Sequence, residues 1–256
     1  MFYDVVAHAS IRNINRLNRI TSNIANVNTP GYKAEDLSFV RKESAGPMQN
    51  NAFSHYQILT VDFSPGVVQR TGNVLDLAIH GDGFFVVESK GGDISVREKE
   101  GMYVAKSKGE EYYTRSGSFT LNENGELVTQ SGDYVMGEGG RIVIDGDDMK
   151  SLQISNGGII EVDGDEVGRL RIVSFRNREF LGRIGEGLFK DSGDAGLREE
   201  ENPEISSGYL ELSNVNIIKE MVEMINVQRS FEAYQKAMHA ISDQDKLAIN
   251  RVGKLL

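Results

Sequence analysis

The C-terminal stretch from residue 217 to residue 252 reads IIKEMVEMINVQRSFEAYQKAMHAISDQDKLAINRV. Apolar residues recur along it at alternating spacings of three and four, interrupted at Glu220 and Asp245, which is typical of a coiled-coil seam. We predict a helix from about Asn216 to Arg251, roughly 50 Å long at about 1.5 Å per residue. A helix of that length needs a partner. The predicted seam consists of Ile217, Met224, Val227, Phe231, Tyr234, Met238, Ile241, Ala248, Val252 and Leu255.

A second apolar set lies beside this seam at the start of the same helix: Ile218, Met221, Val222 and Ile225. Together the two sets make the first turns apolar over about half of the helix circumference, more than one partner helix can cover. The excess favours contact with neighbouring subunits. Burial on the chain's own β domain is the alternative.

The N-terminal segment, residues 1–32, carries the only other matching stripe, formed by Ile14, Leu17, Ile20, Ile24 and Val27. We therefore expect the two terminal helices to pair with each other and to contact other subunits. Asn26 and Asn28 suit a left-handed cap, and Thr29-Pro30-Gly31 suits a type II turn, so the first helix should end there.

Charged side chains suggest how the two helices could meet. Basic residues share one face of the first helix, and acidic residues lie near the seam of the last. They could pair across helices or between subunits, or each face could simply be solvated. The residues are Arg12, Arg16 and Arg19 on the first helix and Glu220, Glu223 and Glu232 on the last.

Between the helices, residues 33–74 are weakly periodic and predict an extended connector, and residues 75–209 predict a β-rich core. Short apolar runs there alternate with glycine-containing turns such as Asp163-Gly164. The last segment, 210–256, should begin its helix with Ser213 or Asn214 as N-cap. The expected class is α+β, with an all-β core domain inserted between N- and C-terminal helices that pair as an α-helical coiled coil. The predicted strands are Leu75–Ile79, Phe84–Glu88, Tyr112–Thr114, Ser118–Leu121, Glu126–Thr129, Tyr134–Met136, Ile142–Ile144, Leu152–Ile154, Ile159–Val162 and Gly168–Phe175.

Composition and charge exclude several classes of protein. The 256 residues include no Cys and no Trp, so a disulfide framework and cysteine-based metal or redox sites are excluded. The net charge is −10. Residues 1–33 have four bases and one acid, and residues 213–256 have six bases and five acids, so the middle carries −14. An acidic middle argues against a nucleic-acid partner. No apolar run approaches the length of a membrane span, and no cleaved secretory signal is expected at the N-terminus.

No constellation for catalysis or for a cofactor emerges from the residues. The acidic stretches 145–148 and 163–166 lack the twelve-residue spacing of an EF-hand, so they indicate turns rather than metal sites. The glycines around Gly81-Asp82-Gly83 precede a strand, whereas a phosphate site needs a helix N-terminus. The histidines have no metal-binding spacing. They are His8, His55, His80 and His239.

Four blocks in the expected order resemble the bacterial flagellar basal-body rod and hook family. Residues 22–33 resemble its N-terminal signature, with Ile24 where leucine is usual, and residues 208–216 its C-terminal signature, which continues through 220–225 and 229–232. Residues 75–85 and 113–119 resemble the opening of the shared β domain. The signature positions are Asn23, Ala25, Asn26, Gly31, Tyr32, Leu210, Glu211, Ser213, Asn214 and Val215.

Within the family, the β region of about 135 residues leaves no room for the outer domain usual in hook proteins. Residues 137–142, 167–170 and 187–189 look most like the proximal rod members, with the distal rod members as the alternative. The resemblance implies a structural protein and no enzyme, assembled with copies of itself and other rod proteins. It also implies export through the flagellar type III apparatus into the periplasm-spanning rod, with no cofactor, nucleic acid, small-molecule substrate or membrane insertion. The competing class is a β-rich binding module on a coiled-coil oligomerisation stalk.

Overall fold

The computed structural model describes residues 2–41, 55–91, 97–99, 102–104, 109–144 and 151–252. Two α-helices stand at the two ends of this part of the chain: α1 at Phe2–Ala25 and α2 at Ile217–Val252. The bounds of α2 agree within one residue at each end with those predicted from the apolar spacing. Everything described between the helices is strand, turn or loop, apart from a single 3-10 turn at Arg178–Phe180.

The start of α2 differs from the prediction. Asn216 caps the helix, because its Oδ1 accepts a hydrogen bond of 3.0 Å from the backbone N of Lys219. The prediction of Ser213 or Asn214 as N-cap is wrong. The amide of Asn214 is used elsewhere: its Oδ1 accepts from the Ala34 backbone N at 2.7 Å, and its Nδ2 donates to the Ser64 carbonyl.

The end of α1 also differs in detail. Neither Asn26 nor Asn28 adopts the left-handed conformation, since the described non-glycine residues with positive φ are Asp163 and Glu186. Instead, the side chain of Asn26 donates to the Ser22 carbonyl at 2.8 Å and so satisfies a carbonyl of the last helical turn. The turn at Thr29–Tyr32 then forms as predicted, with φ +66° at Gly31 and a 3.2 Å bond from Tyr32 N to Thr29 O.

Twenty-one strands are defined in the described residues, all of them paired antiparallel. In chain order, β1 to β21 are Glu35–Arg41, His55–Val61, Val68–Arg70, Leu77–His80, Phe84–Glu88, Arg97–Lys99, Met102–Val104, Glu111–Thr114, Phe119–Leu121, Leu127–Thr129, Tyr134–Gly137, Gly140–Arg141, Gln153–Ile154, Ile159–Val162, Asp165–Arg169, Ile172–Phe175, Leu181–Gly185, Leu188–Asp191, Leu197–Glu199, Glu204–Ser207 and Tyr209–Glu211.

Strand β5 is the centre of the main sheet. One of its edges pairs with β8, and its other edge pairs first with β16 and then with β11. Both of its faces are covered, because Phe84, Phe85, Val86 and Val87 are all at most 1% exposed. Phe85 packs edge-on against Phe119 with ring centroids 5.0 Å apart, in the main hydrophobic core. A continuous apolar run, without alternation, is what a strand buried on both faces requires.

Most of the predicted strands form, including Ile159–Val162 as β14, but two of the predicted runs differ in the structure. The run 142–144 forms only an isolated bridge at Val143. The run 168–175 divides into β15, which pairs with β14, and β16, which pairs with β5 and β19. Strands β17 to β21 were not predicted. They are short, and segments such as Leu197–Glu199 are exposed at every position, so no apolar alternation marks them.

The chain divides into two compact units whose bounds differ from those of the predicted segments. A terminal unit comprises Met1–Val27, Glu35–Asp62 and Val215–Leu256, and a β unit comprises Asn28–Ala34 and Phe63–Asn214. The predicted connector, 33–74, is therefore shared between them. It contains β1 and β2, which pair with each other from Glu35↔Val61 to Arg41↔His55, and β3, which pairs with β21.

The β unit is closed by its own two ends. β20 pairs with β4, β21 pairs with β3, and the backbone N of Gly31 donates to the Glu211 carbonyl at 2.7 Å. The β unit is therefore held together by pairing between strands from the start of its sequence, β3 and β4, and strands from its end, β20 and β21.

Candidate assembly site

The terminal unit is organised around Asn23, which is fully buried. Its Oδ1 accepts from the backbone N of Glu35 at 2.9 Å, and its Nδ2 donates to the Glu35 carbonyl and to Glu220 Oε1, each at 2.9 Å. One amide thereby connects α1, the start of β1 and the first turn of α2. A buried amide that is fully satisfied fixes the arrangement of the elements around it.

Two arginines of α1 face two glutamates of α2. Arg19 lies 3.2 Å from Glu220 and 2.6 Å from Glu223, and Arg16 lies 2.9 Å from Glu223. Arg19 and Glu220 are 6% and 5% exposed. Interhelical pairing, one of the open alternatives for these charges, is therefore what the structure shows within the chain. We call Arg16, Arg19, Asn23, Glu220 and Glu223 the polar layer.

The polar layer gives the helix pair its direction. Contacts run from Asn23 and Arg19 to Glu220, and from Arg16 to Glu223, so the numbering falls along α1 as it rises along α2. The helices are antiparallel. Glu220, which interrupts the apolar spacing of α2, is thus a buried member of the contact with α1. Burial alone would raise the pKa of Glu223, but hydrogen bonds from Arg16 and Arg19 hold that pKa below its ordinary value.

The described residues of the predicted seam on α2 and of the apolar stripe on α1 fall into three groups by exposure. Ile20 and Val227 are buried, at 0% and 3% exposed. The side chains of Ala248 and Val252, and all of Leu255, lie outside what the structure describes. Half-buried residues are Leu17, Ile24, Val27, Met224, Tyr234, Met238 and Ile241, and Ile14, Ile217 and Phe231 are exposed.

The second apolar set on α2 is exposed throughout. Ile218 is 72% exposed, and Met221, Val222 and Ile225 are each about half exposed. These four residues, which we call the outer face, stay uncovered in the single chain while Glu220 and Val227 are buried against α1. A contiguous group of large apolar side chains in water is the mark of a surface that binds another protein.

The β unit contains a second buried ionic group, made of Lys33, Arg115 and Glu211. Lys33 Nζ lies 2.7 Å from Glu211 Oε1, and Arg115 lies 2.8 Å from Glu211 Oε2. All three side chains are at most 5% exposed. We call this group the ionic clasp, because it ties Lys33 and Glu211, near the two ends of the β unit, to Arg115 in its middle.

Backbone groups solvate the excess positive charge of the ionic clasp. Arg115 also donates to the carbonyls of Gly81, Gly83 and Ile79, and Lys33 donates to that of Ser64. The Gly66 backbone N donates to Glu211 at 2.8 Å. Burial alone would raise the pKa of Glu211, but the Arg115 charge and the hydrogen bonds from Lys33 and Gly66 hold it below its ordinary value of 4.5.

The remaining signature residues differ in burial. Tyr32 is buried beneath the guanidinium of Arg183, which lies 4.2 Å from its ring centroid. Leu210 is 9% exposed in β21. Ala25 is exposed at the last position of α1, and Ser213 and Val215 are half-buried.

We expect Gly31→Ala to destabilise the β unit by roughly 3 kcal/mol, from a strained positive φ and a collision. A Cβ at Gly31 would lie 2.3 Å from the backbone N of Ser116. Gly72 is the matched control, because its φ is +79° but nothing lies within 4 Å of its added Cβ. Gly72→Ala should cost only about 1 kcal/mol. Urea unfolding measures both, and equal losses would mean that the close approach at Gly31 is unimportant.

Acid should weaken the β unit through Glu211. Because its pKa is lowered on folding, its contribution is complete above the ordinary value of 4.5 and is lost as pH falls through the lower folded pKa. The stability difference between the unaltered chain and Glu211→Gln should therefore shrink between pH 6 and pH 3. Urea unfolding at several pH values, followed by the near-ultraviolet signal of the buried Tyr112 and Tyr113, measures this difference. A difference independent of pH would contradict the assignment.

Of the two acidic stretches predicted to be turns rather than metal sites, Asp163-Gly164 is the turn between β14 and β15, with φ 54° and 90°, as predicted, whereas residues 145–148 lie outside the described residues. His80 Nε2 lies 2.9 Å from Ser206 Oγ. Within the ranges that the structure describes, no three His, Cys, Asp or Glu side chains form a group able to hold a metal ion. No described helix is long and apolar enough to cross a membrane.

Comparison with known proteins gives three matches to family models along the chain. The model described as "Flagella basal body rod protein" matches residues 5–33, "Flagellar hook protein FlgE/F/G D1 domain" matches 100–162, and "Flagellar basal body rod FlgEFG protein C-terminal" matches 206–251. The ionic clasp takes one residue from each matched range.

Curated relatives match over almost the whole chain. The flagellar basal-body rod protein FlgF of Caulobacter vibrioides is 31% identical, over 93% of this chain and 92% of the relative. FlgF of Mesorhizobium japonicum is 28% identical over the same shares, and FlgG of Bacillus subtilis is 32% identical over 86% of this chain and 87% of the relative. The chain belongs to the flagellar basal-body rod protein family. It is a structural subunit of the basal body rather than an enzyme, as the sequence resemblance implied.

Proposed function

We propose that this chain is a subunit of the proximal rod, part of the drive shaft that transmits motor torque to the hook and filament. The observation that carries the proposal is the outer face of α2, where Ile218 is 72% exposed beside three half-exposed apolar residues. Burying such side chains is favourable by a free energy of about 25 cal/mol per Å² of apolar surface. A rod subunit has neighbours able to cover this surface.

The proximal position is favoured over the distal one by the extent of similarity. The family resemblance associates FlgF with the proximal rod and FlgG with the distal rod. The two FlgF relatives named above match over 93% of this chain and 92% of their own length, whereas the FlgG relatives of Bacillus subtilis and Borreliella burgdorferi match over 86% and 90% of this chain and 87% and 91% of their own length. FlgG relatives nevertheless reach similar identities, for example 31% for that of Borreliella burgdorferi. The distal rod is therefore the second candidate.

The two helices are proposed to pair as a coiled coil, with the predicted seam of α2 against the stripe of α1. The buried Ile20 and Val227 and the antiparallel polar layer support this. The partners are further copies of this chain and other rod proteins, which would cover the outer face and the exposed Ile14, Ile217 and Phe231. The terminal segments 1–32 and 210–256 would complete their folding on assembly.

The route to the rod is part of the same proposal. The flagellar type III export apparatus would be the transporting partner. The absence of cysteine is compatible with passage to the periplasm without disulfide formation. No cofactor, nucleic acid, small-molecule substrate or direct membrane insertion is proposed.

Deleting the gene in the source bacterium tests the proposed position. If the proximal subunit is missing, the distal rod has no proximal rod on which to assemble. Basal bodies purified from the deletion strain should therefore lack the distal rod protein. A plasmid copy should restore that protein and motility. Basal bodies that keep the distal protein after deletion would exclude the proximal position, and motile deletion cells would exclude a role in the rod.

A further inference from the structure

We propose that the polar layer is a recognition device that makes α1 pair only with an α2 helix, in one direction and one register. The inference rests on the proposed function, in which these helices pair in the assembled rod. It adds the identity of the residues that select the partner.

The charges of the polar layer are completely segregated. Arg16 and Arg19 belong to α1, and Glu220 and Glu223 belong to α2. Two α1 helices facing each other would bring four guanidinium groups together, and two α2 helices would bring four carboxylates together. At a site where Arg19 and Glu220 are 6% and 5% exposed, such unpaired charge is strongly unfavourable. Pairing between unlike helices is the arrangement that neutralises both sets.

The register is specified by the same residues. Glu220 Oε1 accepts from both Asn23 and Arg19, at 2.9 Å and 3.2 Å. A slip of one helical turn, about 5.4 Å, would replace Glu220 with Met224 or with Asn216 at this position. Arg19 would then be buried without that carboxylate. The apolar spacing of three and four repeats along α2 and cannot itself distinguish these registers, so the polar layer must.

The direction is fixed by the attachment of Asn23 to β1. Asn23 binds both backbone groups of Glu35, and Arg19 also donates to the Glu35 carbonyl at 3.3 Å. The layer therefore lies near the C-terminal end of α1 and the first turns of α2. A parallel arrangement would place the acidic end of α2 opposite the N-terminal half of α1, away from Asn23. In an assembly where many related terminal helices crowd together, this selection prevents pairing between like helices.

Two full-length variants with opposite charge changes test the proposal. Variant A carries Arg16→Glu and Arg19→Glu, so both of its helices are acidic in the layer, and variant B carries Glu220→Arg and Glu223→Arg, so both are basic. Neither should pair its own helices. Mixed one to one, α1 of each can pair with α2 of the other. We expect a complex of one A and one B chain by sedimentation, and more helix by circular dichroism than the average of the separate solutions.

The controls separate recognition from simple loss of folding. A variant with all four changes exchanges the charges within one chain and should regain part of the helix content of the unaltered protein, because the charges pair again while the hydrogen bonds from Asn23 to Glu220 and from Arg19 to the Glu35 carbonyl are not restored. Arg12→Glu with Glu232→Arg makes a comparable exchange at two exposed positions and should leave helix content unchanged. If A and B fail to associate, or if either alone keeps the unaltered helix content, the polar layer does not select the partner. Because these measurements use purified chains, they are independent of where the protein lies in the rod.

Discussion

Glu211→Gln should lower the melting temperature of the β unit by about 10 °C. The substitution leaves Lys33 and Arg115 buried with no counter-charge, and breaking a buried ion pair in this way costs roughly 3–5 kcal/mol. For a unit of this size, each kcal/mol corresponds to about 2–4 °C. Thermal unfolding of the full chain, followed through the tyrosine signal of the β unit, measures the shift.

Glu204→Gln is the matched control for this prediction. Glu204 is an exposed glutamate at the start of β20, on the strand just before β21, and its neutralisation should change stability by less than about 0.5 kcal/mol. A fall of only 1 or 2 °C for Glu211→Gln would mean that hydrogen bonds, rather than charge, hold Lys33 and Arg115 in place.

Ile218→Asp should abolish motility without destabilising the isolated chain. Ile218 is 72% exposed in the single chain, so a charge there meets water and should alter chain stability by less than about 0.5 kcal/mol. In the assembled rod the same carboxylate would be buried at a subunit contact, which costs several kcal/mol for an unpaired charge. Motility of complemented cells and the melting temperature of the purified protein measure the two effects.

Asn226→Asp provides the comparison for Ile218. It introduces the same side chain at an exposed position of α2 that is not on the stripe formed by the outer face. Cells carrying it should remain motile. If cells with Ile218→Asp also swim normally, the outer face is not covered in the rod and the interface lies elsewhere.

The terminal helix α2 could be predicted closely because its periodicity is long and regular. Its apolar spacing gives Asn216 to Arg251, and the structure gives Ile217–Val252. The strand Phe84–Glu88 was equally predictable, since an uninterrupted apolar run suits a strand buried on both faces. Local sequence determines such elements, so their bounds need no knowledge of the rest of the chain.

The ionic clasp could not be predicted from local pattern, whereas the charges of the polar layer were recognised from the sequence as possible partners across the helices. The ionic clasp joins Lys33 to Glu211, which lies 178 positions away, and no spacing rule connects them. Glu220 interrupts the apolar spacing of the predicted seam. Its burial did not follow from that spacing, because its partners, Asn23 and Arg19, belong to the other end of the sequence. For the ionic clasp, the signal in the sequence was the resemblance of residues 22–33 and 208–216, which contain Lys33 and Glu211, to family signatures.

The short strands after residue 180 escaped prediction for a related reason. Strand β20 contains the single buried apolar residue Ile205 among polar neighbours, and it exists because β4 offers a pairing edge. The same reason applies earlier in the chain to strand β3, which is exposed at all three positions and pairs with β21. Tertiary pairing, rather than intrinsic preference, determines these elements.

Imaging can establish whether this chain is built into the rod. A small tag can be inserted in the turn at Asp163-Gly164, where the backbone is exposed and nothing lies within 4 Å of a Cβ added at Gly164. Electron cryomicroscopy of basal bodies purified from motile tagged cells should show the tag as a repeating, helically arranged density along the proximal rod. Tag density confined to the hook or filament, or its absence from intact basal bodies, would show that this chain is not a subunit of the rod.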